Sequence, residues 1–520
     1  MELKNTVIGL ELGSTRIKAV LLSRNHEVLA SGGFEWENKL ENGIWTYSMD
    51  EVHTGLRACF ADLKKDVKEK FGVTLTTVAA IGISGMMHGY LPFDKNGAQL
   101  AEFRTWRNTI TGEAAAKLTE LFNFNVPQRW SISHLYQAIL NGEEHVKDIA
   151  YITTLAGYIH WQLTGEKVMG VGEASGMFPI DSEKFDYCAD MLDKFDDLVS
   201  FDWKIRDILP KVLCAGDFAG RLTESGAKFL DPDGDLVPGI PFAPPEGDAG
   251  TGMVATNSVR VRTGNVSAGT SDFAMLVSDK PLGVHREIDM VTTPAGFPVA
   301  MVHCNNCTSD INAWAELFSQ LLKAAGVEMK KGKLLDLLFE KALSGAADCG
   351  GLLSYNYISG EGITDVDEGR AVFARMTNAD FSLENFMRTH LMSAMATLKI
   401  GLDILRQTEN VQVDKLYGHG GFFKAPVAGQ KILSAAADAP VSVMKTAGEG
   451  GPYGMALLAA FLVWKNDGET LEDYLDDRVF ADAEVSTLMA DKEDVEGFER
   501  FLDTYKKAFP VEKAAIDTLR

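Results

Sequence analysis

Two acids and three glycine-rich turns carry the chemistry that can be read in this chain. Glu11 closes an apolar run, VIGLEL, and is followed by Gly13-Ser14-Thr15; a similar turn recurs at Gly269-Thr270-Ser271, and a third glycine-rich stretch lies at Gly448-Glu449-Gly450-Gly451. Turns of this composition suit phosphate, because backbone N–H groups converge on an anion where no side chain intervenes and the hydroxyl adds a donor. Tight hairpins use the same residues, so it is the set of three that points to a nucleotide. None of the turns follows the G-x-x-x-x-G-K-[ST] or G-x-G-x-x-G pattern, which disfavours P-loop and Rossmann nucleotide sites. An acid beside a phosphate turn repels the phosphate unless a cation lies between them, so Glu11 is a candidate Mg²⁺ ligand acting through water. Asp248, in Glu246-Gly247-Asp248-Ala249-Gly250, is a candidate second ligand and a candidate acceptor for a hydroxyl proton during phosphoryl transfer. A helix N-cap is the competing reading of Asp248.

A third constellation is Ser84-Gly85-Met86-Met87-His88-Gly89, a glycine-bounded loop after the apolar strand VAAIGIS. Loops at strand ends are where α/β sheets place ligand-binding side chains. Arg104-Thr105-Trp106-Arg107-Asn108 mixes hydrogen-bond donors with an aromatic face, a composition suited to a polyol and equally to an exposed turn. Cys304-Asn-Asn-Cys307 has no second cysteine pair and no histidine at ligand spacing, so it reads as two reduced thiols at the start of a packed helix.

The elements that must position these residues follow from periodicity. The opening reads as a meander of strands through NHEVLASGGFEW, then a helix over 49–71, then the continuous apolar strand before His88. Residues 111–164 are mainly helical in pattern, with breaks at Pro127 and Asn141-Gly142, and the Pro- and Gly-dense stretch 231–248 excludes helix. From Val259 the strand, small-hydroxyl turn, strand pattern returns, an internal repetition. KLYGHGGF, with Gly420-Gly421, and VSVMKTAGEGGPYGMALLAAF each give a strand followed by a glycine turn, and the segment after Asn466 reads as a helical, solvated cap. The expected organisation is 1–254, 255–470 and a helical tail 471–520.

At 520 residues and 46% hydrophobic composition, the chain can build more than one core. Fifty Lys and Arg against 73 Asp and Glu give a formal charge of −23, which argues against nucleic-acid and membrane partners. No basic leader and no uninterrupted apolar run of membrane-spanning length is evident, so a cytoplasmic protein is expected.

Taken in order, these residues resemble the FGGY carbohydrate kinases of the sugar kinase, actin and heat-shock ATPase superfamily, from Val7 to about Trp464. Gly13-Ser14-Thr15 is similar to the family's first phosphate motif, and Gly85-Met86-Met87-His88-Gly89 to the Gly-Gln-Met-His-Gly loop with which xylulokinases hold a ketopentose. Trp106-Arg107-Asn108 resembles the family's Trp-Asn-Asp or Trp-Gln-Asp segment, Ser359-Gly360-Glu361 its Ser-Gly-Glu, and Gly247-Asp248 its catalytic aspartate. Gly269-Thr270-Ser271, Gly420-Gly421 and Gly450-Gly451 resemble the turns on the nucleotide side.

The resemblance implies an α/β fold of two actin-like (RNase H-like) domains, with mixed sheets flanked by helices and a catalytic cleft between domains. It implies ATP and Mg²⁺ as cofactors and a small-molecule sugar as substrate. Asp248 would be catalytic, and Met87, His88, Trp106, Arg107, Asn108 and Asp248 would contact the sugar. Glu11 and Asp248 would hold the metal. The expected activity is phosphorylation of the terminal hydroxyl of D-xylulose or L-ribulose. Another sugar or polyol of the family (hexulose, glycerol, gluconate), an inactive sugar- or nucleotide-binding regulator, and a homodimeric assembly stay open. Departures cluster on the sugar side: Glu11 stands where Asp is usual, Met86 where xylulokinases carry Gln, and Ser133-His134-Leu135-Tyr136-Gln137 where Pro-Lys-Leu-x-Trp is usual.

Overall fold

Residues 2–444 and 450–519 are described by a computed structural model. By packing, the chain forms two compact units, one of Met1–Val259, Asp289–Val299 and Glu449–Asp482, the other of Arg260–Ile288, Ala300–Gly448 and Ala483–Arg520.

The first unit is built on a mixed sheet whose strands run, in spatial order, Glu246–Gly247, Ala80–Gly85, Thr6–Leu12, Arg16–Ser23 and Val28–Glu35. Short turns make the last three an antiparallel meander, whereas Ala80–Gly85 returns parallel to Thr6–Leu12 after the intervening helix. That helix, Met49–Phe71, begins where the Ser48 hydroxyl accepts the Glu51 amide and ends at Gly72, in the left-handed region at φ +70°.

Alternation along Thr6–Leu12 assigns its two faces. Ile8, Leu10 and Leu12 join the core with Leu56, Phe60 and Leu63 of helix Met49–Phe71. Gly9 and Glu11 turn to the opposite face, against helix Gly451–Trp464. A Cβ on Gly9 would lie 2.1 Å from the Pro452 carbonyl oxygen, so only glycine lets this helix lie so close. Nearly every side chain of Gly451–Trp464 is buried, as its unbroken apolar composition requires.

The second unit repeats the device. Thr263–Ala268 and Asp272–Val277 are an antiparallel pair around Gly269-Thr270-Ser271, and Lys415–His419 runs parallel to the first of them. Val441–Met444 continues the sheet in parallel, and Val485–Leu488 closes its edge antiparallel. The segment after Asn466 is therefore more than a helical, solvated cap: it supplies this edge strand, and helix Lys492–Thr518 buries Phe498, Phe501, Leu502 and Tyr505. Most of its acidic residues lie on the other face, but Glu512 is buried and accepts the Arg370 amide at 2.8 Å. Among the described residues no helix is long and apolar enough to cross a membrane.

Candidate active site

Strand register brings the acids of the first unit together. Glu11 pairs with Ser84, and Ser84 with Glu246, across three neighbouring strands. Asp248 follows as the first residue of helix Asp248–Ala255, with Gly247 as its N-cap. Asp248 thus lies just inside the helix, where a negative charge is favoured by the exposed N–H groups.

Its Oδ1 accepts the Met87 amide at 3.0 Å, which ties the helix start to the Gly85–Gly89 loop. Asp248 keeps part of its surface open, yet burial raises its carboxyl above the usual range, against hydrogen bonds from the Met87, Ala249 and Asp248 amides. Glu11 is more deeply enclosed. Burial first, then the neighbouring Asp248 charge, push its carboxyl up to about 7, with Lys18 opposing.

Gly451, the first residue of its helix, abuts this acid: a Cβ there would stand 1.5 Å from Glu11 Oε2. Gly13 leaves room on the other side, since its Cβ would lie 3.1 Å from Glu11 Oε1. Gly448 and Glu449 of the third turn lie outside the described residues, while Gly450 adopts φ +71°.

The Gly13-Ser14-Thr15 turn is held from outside. Its Gly13 amide donates to the Arg16 carbonyl at 3.1 Å, and the Gly13 carbonyl accepts the Trp36 indole N–H at 2.7 Å. The Tyr47 hydroxyl donates to the Ser14 carbonyl, and the Trp106 indole N–H to the Ser14 hydroxyl at 3.1 Å. Trp106 therefore meets the Gly13-Ser14-Thr15 turn. Its neighbours do other work: Asn108 is buried with its amide joined to the Trp45 backbone at 2.8 Å, and Arg107 stacks on the Trp45 ring at 3.8 Å.

His88 sits in the left-handed region, φ +72°, ahead of Gly89 at +102°. Its Nε2 accepts from Arg129 Nε at 3.1 Å, so the proton is on Nδ1, which donates to the Gly176 carbonyl at 3.2 Å. Arg129 in turn forms an ion pair with Asp289, which also accepts from Asn125 at 2.9 Å. Met86 is fully buried in the core, and so is His134, whose ring stacks on Tyr90.

Sequence reasoning missed Arg129, Asp289, Glu173 and Glu246. Glu246 accepts the Glu173 amide at 2.8 Å, and burial raises its carboxyl to about 8. Glu173 is fully buried, and burial, with the neighbouring Asp248 and Glu246 charges, holds its carboxyl well above its ordinary value. Glu246 alone carried a signal, an acid two residues before Asp248 in a small-residue run.

In the second unit, the Gly269 amide closes its turn on the Ser271 carbonyl at 2.9 Å, and the Cys307 and Thr308 amides donate to the Thr270 and Gly269 carbonyls, both at 3.0 Å. Gly420, at φ +98°, brings the Gly420-Gly421 turn against the first: its Cβ would lie 2.5 Å from the Ala268 carbonyl. Both turns leave the carboxyl ends of parallel strands, where α/β sheets hold ligands. A cavity of 580 Å³, lined by Phe423, Lys424, Val443, Met444 and Val485, lies at the residues that follow the Gly420-Gly421 turn. Cys304 ends a strand and Cys307 lies in the following loop, ahead of helix Ser309–Ala324, and burial raises both thiols well above their ordinary range.

The donor set fits a cation completed by water and phosphate. Glu11 and Asp248 are close enough to act on each other electrostatically, and among the described residues no group of three or more His, Cys, Asp or Glu could hold a metal by itself. In the first unit the fold sets paired acids beside the Gly13-Ser14-Thr15 and Gly450-Gly451 turns, an arrangement suited to phosphoryl transfer.

The sequence matches the N-terminal domain of the FGGY family of carbohydrate kinases over residues 6–254 and its C-terminal domain over 264–463. The chain belongs to this family, and it is an enzyme that transfers phosphoryl groups to a sugar hydroxyl. It is similar to a xylulose kinase of Haemophilus influenzae, 23% identical over 421 residues, covering 77% of this chain and 80% of that one. Its fold is shared with xylulose kinase from Lactobacillus acidophilus (TM-score 0.79, 16% identity, 99% of each chain). It is shared equally with gluconate kinase from the same organism (TM-score 0.79, 16% identity, 97% of this chain and 98% of that one).

Proposed function

We propose that this enzyme uses ATP and Mg²⁺ to phosphorylate the terminal hydroxyl of a ketopentose, D-xylulose or L-ribulose. The observation that carries this reading is the Asp248 carboxylate, held by the Met87 amide at 3.0 Å beside Glu11. Asp248 takes the proton of the sugar hydroxyl as its oxygen forms the new bond to phosphorus and the bond to the ADP oxygen breaks. Glu11 and Asp248 would hold Mg²⁺ through water, and the cation would supply charge neutralisation across the phosphates. In the first unit Ser14, Thr15 and the Gly450-Gly451 turn, and in the second unit Thr270, Ser271 and the Gly420-Gly421 turn, are phosphate-binding groups.

On the sugar side, Met87 and Trp106 are direct contacts. His88 acts together with Arg129, because its ring nitrogens already meet Arg129 and Gly176. Arg107 and Asn108 hold the segment that carries Trp106 against Trp45. The similarity to xylulose kinases across most of the chain favours a ketopentose over gluconate or glycerol. We place the protein in the cytoplasm.

The test is ADP release over a panel of pentuloses, hexuloses, glycerol and gluconate, with Asp248→Asn alongside. A pentulose is the preferred substrate, and the variant loses about 10²–10⁴-fold in kcat. Turnover within about tenfold of the parent, a barrier change of only about 1.4 kcal/mol, removes Asp248 as the base. ADP release with no sugar on the panel removes the kinase reading.

A further inference from the structure

Every backbone carbonyl of the Gly13-Ser14-Thr15 turn is taken, and by two aromatic residues. Trp36 Nε1 donates to the Gly13 carbonyl at 2.7 Å, the Tyr47 hydroxyl to the Ser14 carbonyl, and the Trp36 amide to the Thr15 carbonyl at 3.2 Å. Trp36 and Tyr47 are stacked with ring centroids 4.3 Å apart, and both are buried in the core of the first unit. Burial pushes the Tyr47 phenol up to about 12, so its hydroxyl keeps the proton that it donates.

A trans peptide is planar, with its C=O and N–H pointing in opposite directions. The Gly13 carbonyl shares its peptide unit with the Ser14 amide, and the Ser14 carbonyl shares its own with the Thr15 amide. Fixing these two carbonyls on Trp36 and Tyr47 therefore aims the two N–H groups away from the rings. Among the described residues neither amide meets an acceptor. Successive N–H groups held in this way can converge on an anion.

Trp106 acts on the side chain of the same turn. Its indole N–H donates to the Ser14 hydroxyl at 3.1 Å and fills one of the two lone pairs, so the Ser14 O–H is left to donate and is polarised to do so. Trp106 is the exposed member of the set, and its segment is steadied by Asn108, whose Nδ2 donates to the Trp45 carbonyl at 2.8 Å. Phosphate oxygens accept hydrogen bonds, and a backbone carbonyl turned toward them would repel.

We propose that Trp36, Tyr47 and Trp106 are positioning residues that occupy the acceptors of the Gly13-Ser14-Thr15 turn and so aim its Ser14 and Thr15 amides and its Ser14 hydroxyl at phosphate oxygens. The inference rests on the phosphate role proposed above for this turn.

The experiment uses the full chain with Tyr47→Phe, Trp106→Phe, Ser14→Ala and the double variant of the last two. It reads affinity for the Mg²⁺ complex of a non-hydrolysable imido analogue of ATP by calorimetry, together with kcat, the KM for the preferred sugar and the melting temperature. Tyr47→Phe removes one hydroxyl and keeps the ring. Its analogue affinity falls about three- to tenfold and its kcat about tenfold, while the sugar KM stays within about twofold. Trp106→Phe weakens analogue binding by a similar factor when Ser14 is present, and by less than about twofold in the Ser14→Ala background, where the indole N–H has no hydroxyl to orient.

Parental analogue affinity in Tyr47→Phe overturns the aiming of the amides, even if the melting temperature falls, because that result leaves only a packing role. A sugar KM that rises as much as analogue affinity falls marks general loosening and overturns it equally. Losses from Trp106→Phe and Ser14→Ala that multiply in the double variant overturn the role of Trp106. A parent that turns over no sugar yet binds the analogue, with Tyr47→Phe binding it more weakly, removes the function proposed above and keeps this inference; a parent that binds no analogue overturns both.

Discussion

Replacing Gly451 with alanine tests why this site carries a glutamate at position 11. The added Cβ would stand 1.5 Å from Glu11 Oε2, about 2 Å inside ordinary contact, and 3.2 Å from Thr251 Oγ1. The Thr251 contact can be accommodated by a few tenths of an ångström. Glu11 has less freedom, because Oε1 already lies near Gly13 and the residue is buried. The carboxylate must move by more than 1 Å, so Gly451→Ala is expected to cost about 1–3 kcal/mol of stability, toward the low end because a side-chain tip yields more easily than backbone. Activity is the more sensitive measure: a misplacement of about 1 Å at a reacting centre costs about 10²-fold, or about 2.7 kcal/mol in barrier. Glu11→Asp withdraws the carboxylate by one C–C bond, roughly 1.5 Å, and so removes most of the overlap. The double variant Gly451→Ala with Glu11→Asp should therefore recover at least about tenfold in kcat over Gly451→Ala alone. Steady-state ADP release on the four proteins gives the cycle. If the two single losses multiply in the double variant, Glu11 is not confined by this helix start and the reasoning fails.

Glu11 also sets a pH dependence. Its carboxyl is raised from 4.5 to about 7, so the folded chain binds that proton more tightly than the unfolded one, and the metal-free protein loses stability as pH rises from about 4.5 to 7. The loss has an upper bound on the order of 3 kcal/mol, and urea titrations of Glu11→Gln should show a correspondingly flatter profile; an unchanged slope assigns the dependence to another acid. Lys64 places its ammonium 2.6 Å from Asp231, 3.2 Å from Asp233 and 2.8 Å from Asp235. Asp231 is buried and the other two are largely exposed, so Lys64→Met strands one buried carboxylate and should cost about 3 kcal/mol in urea unfolding. A cost under about 1 kcal/mol would mean that solvent already screens all three.

What the sequence disclosed, and what it withheld, follows from the range of each interaction. The strand, turn, strand units around Gly13 and Gly269 are local: alternation and small turn residues suffice to write them, and both recur as antiparallel pairs flanked by a parallel strand. Glu11 and Asp248 could be chosen because an acid in an apolar or glycine-rich run needs a reason nearby. The direction in which a side chain is used depends on partners far along the chain, and there the residue types misled. Asn108 looked like a polyol donor, yet its amide is engaged by Trp45, 63 residues away; His134, in the segment that departs from the family's Pro-Lys-Leu-x-Trp, is enclosed against Tyr90. Arg129 carried no local signal, since its meaning comes from His88 and Asp289. Gly451 shows the same limit from the other side. Composition marks it as a turn residue, but only the fold reveals that its missing Cβ is the space in which the longer acid of this chain stands.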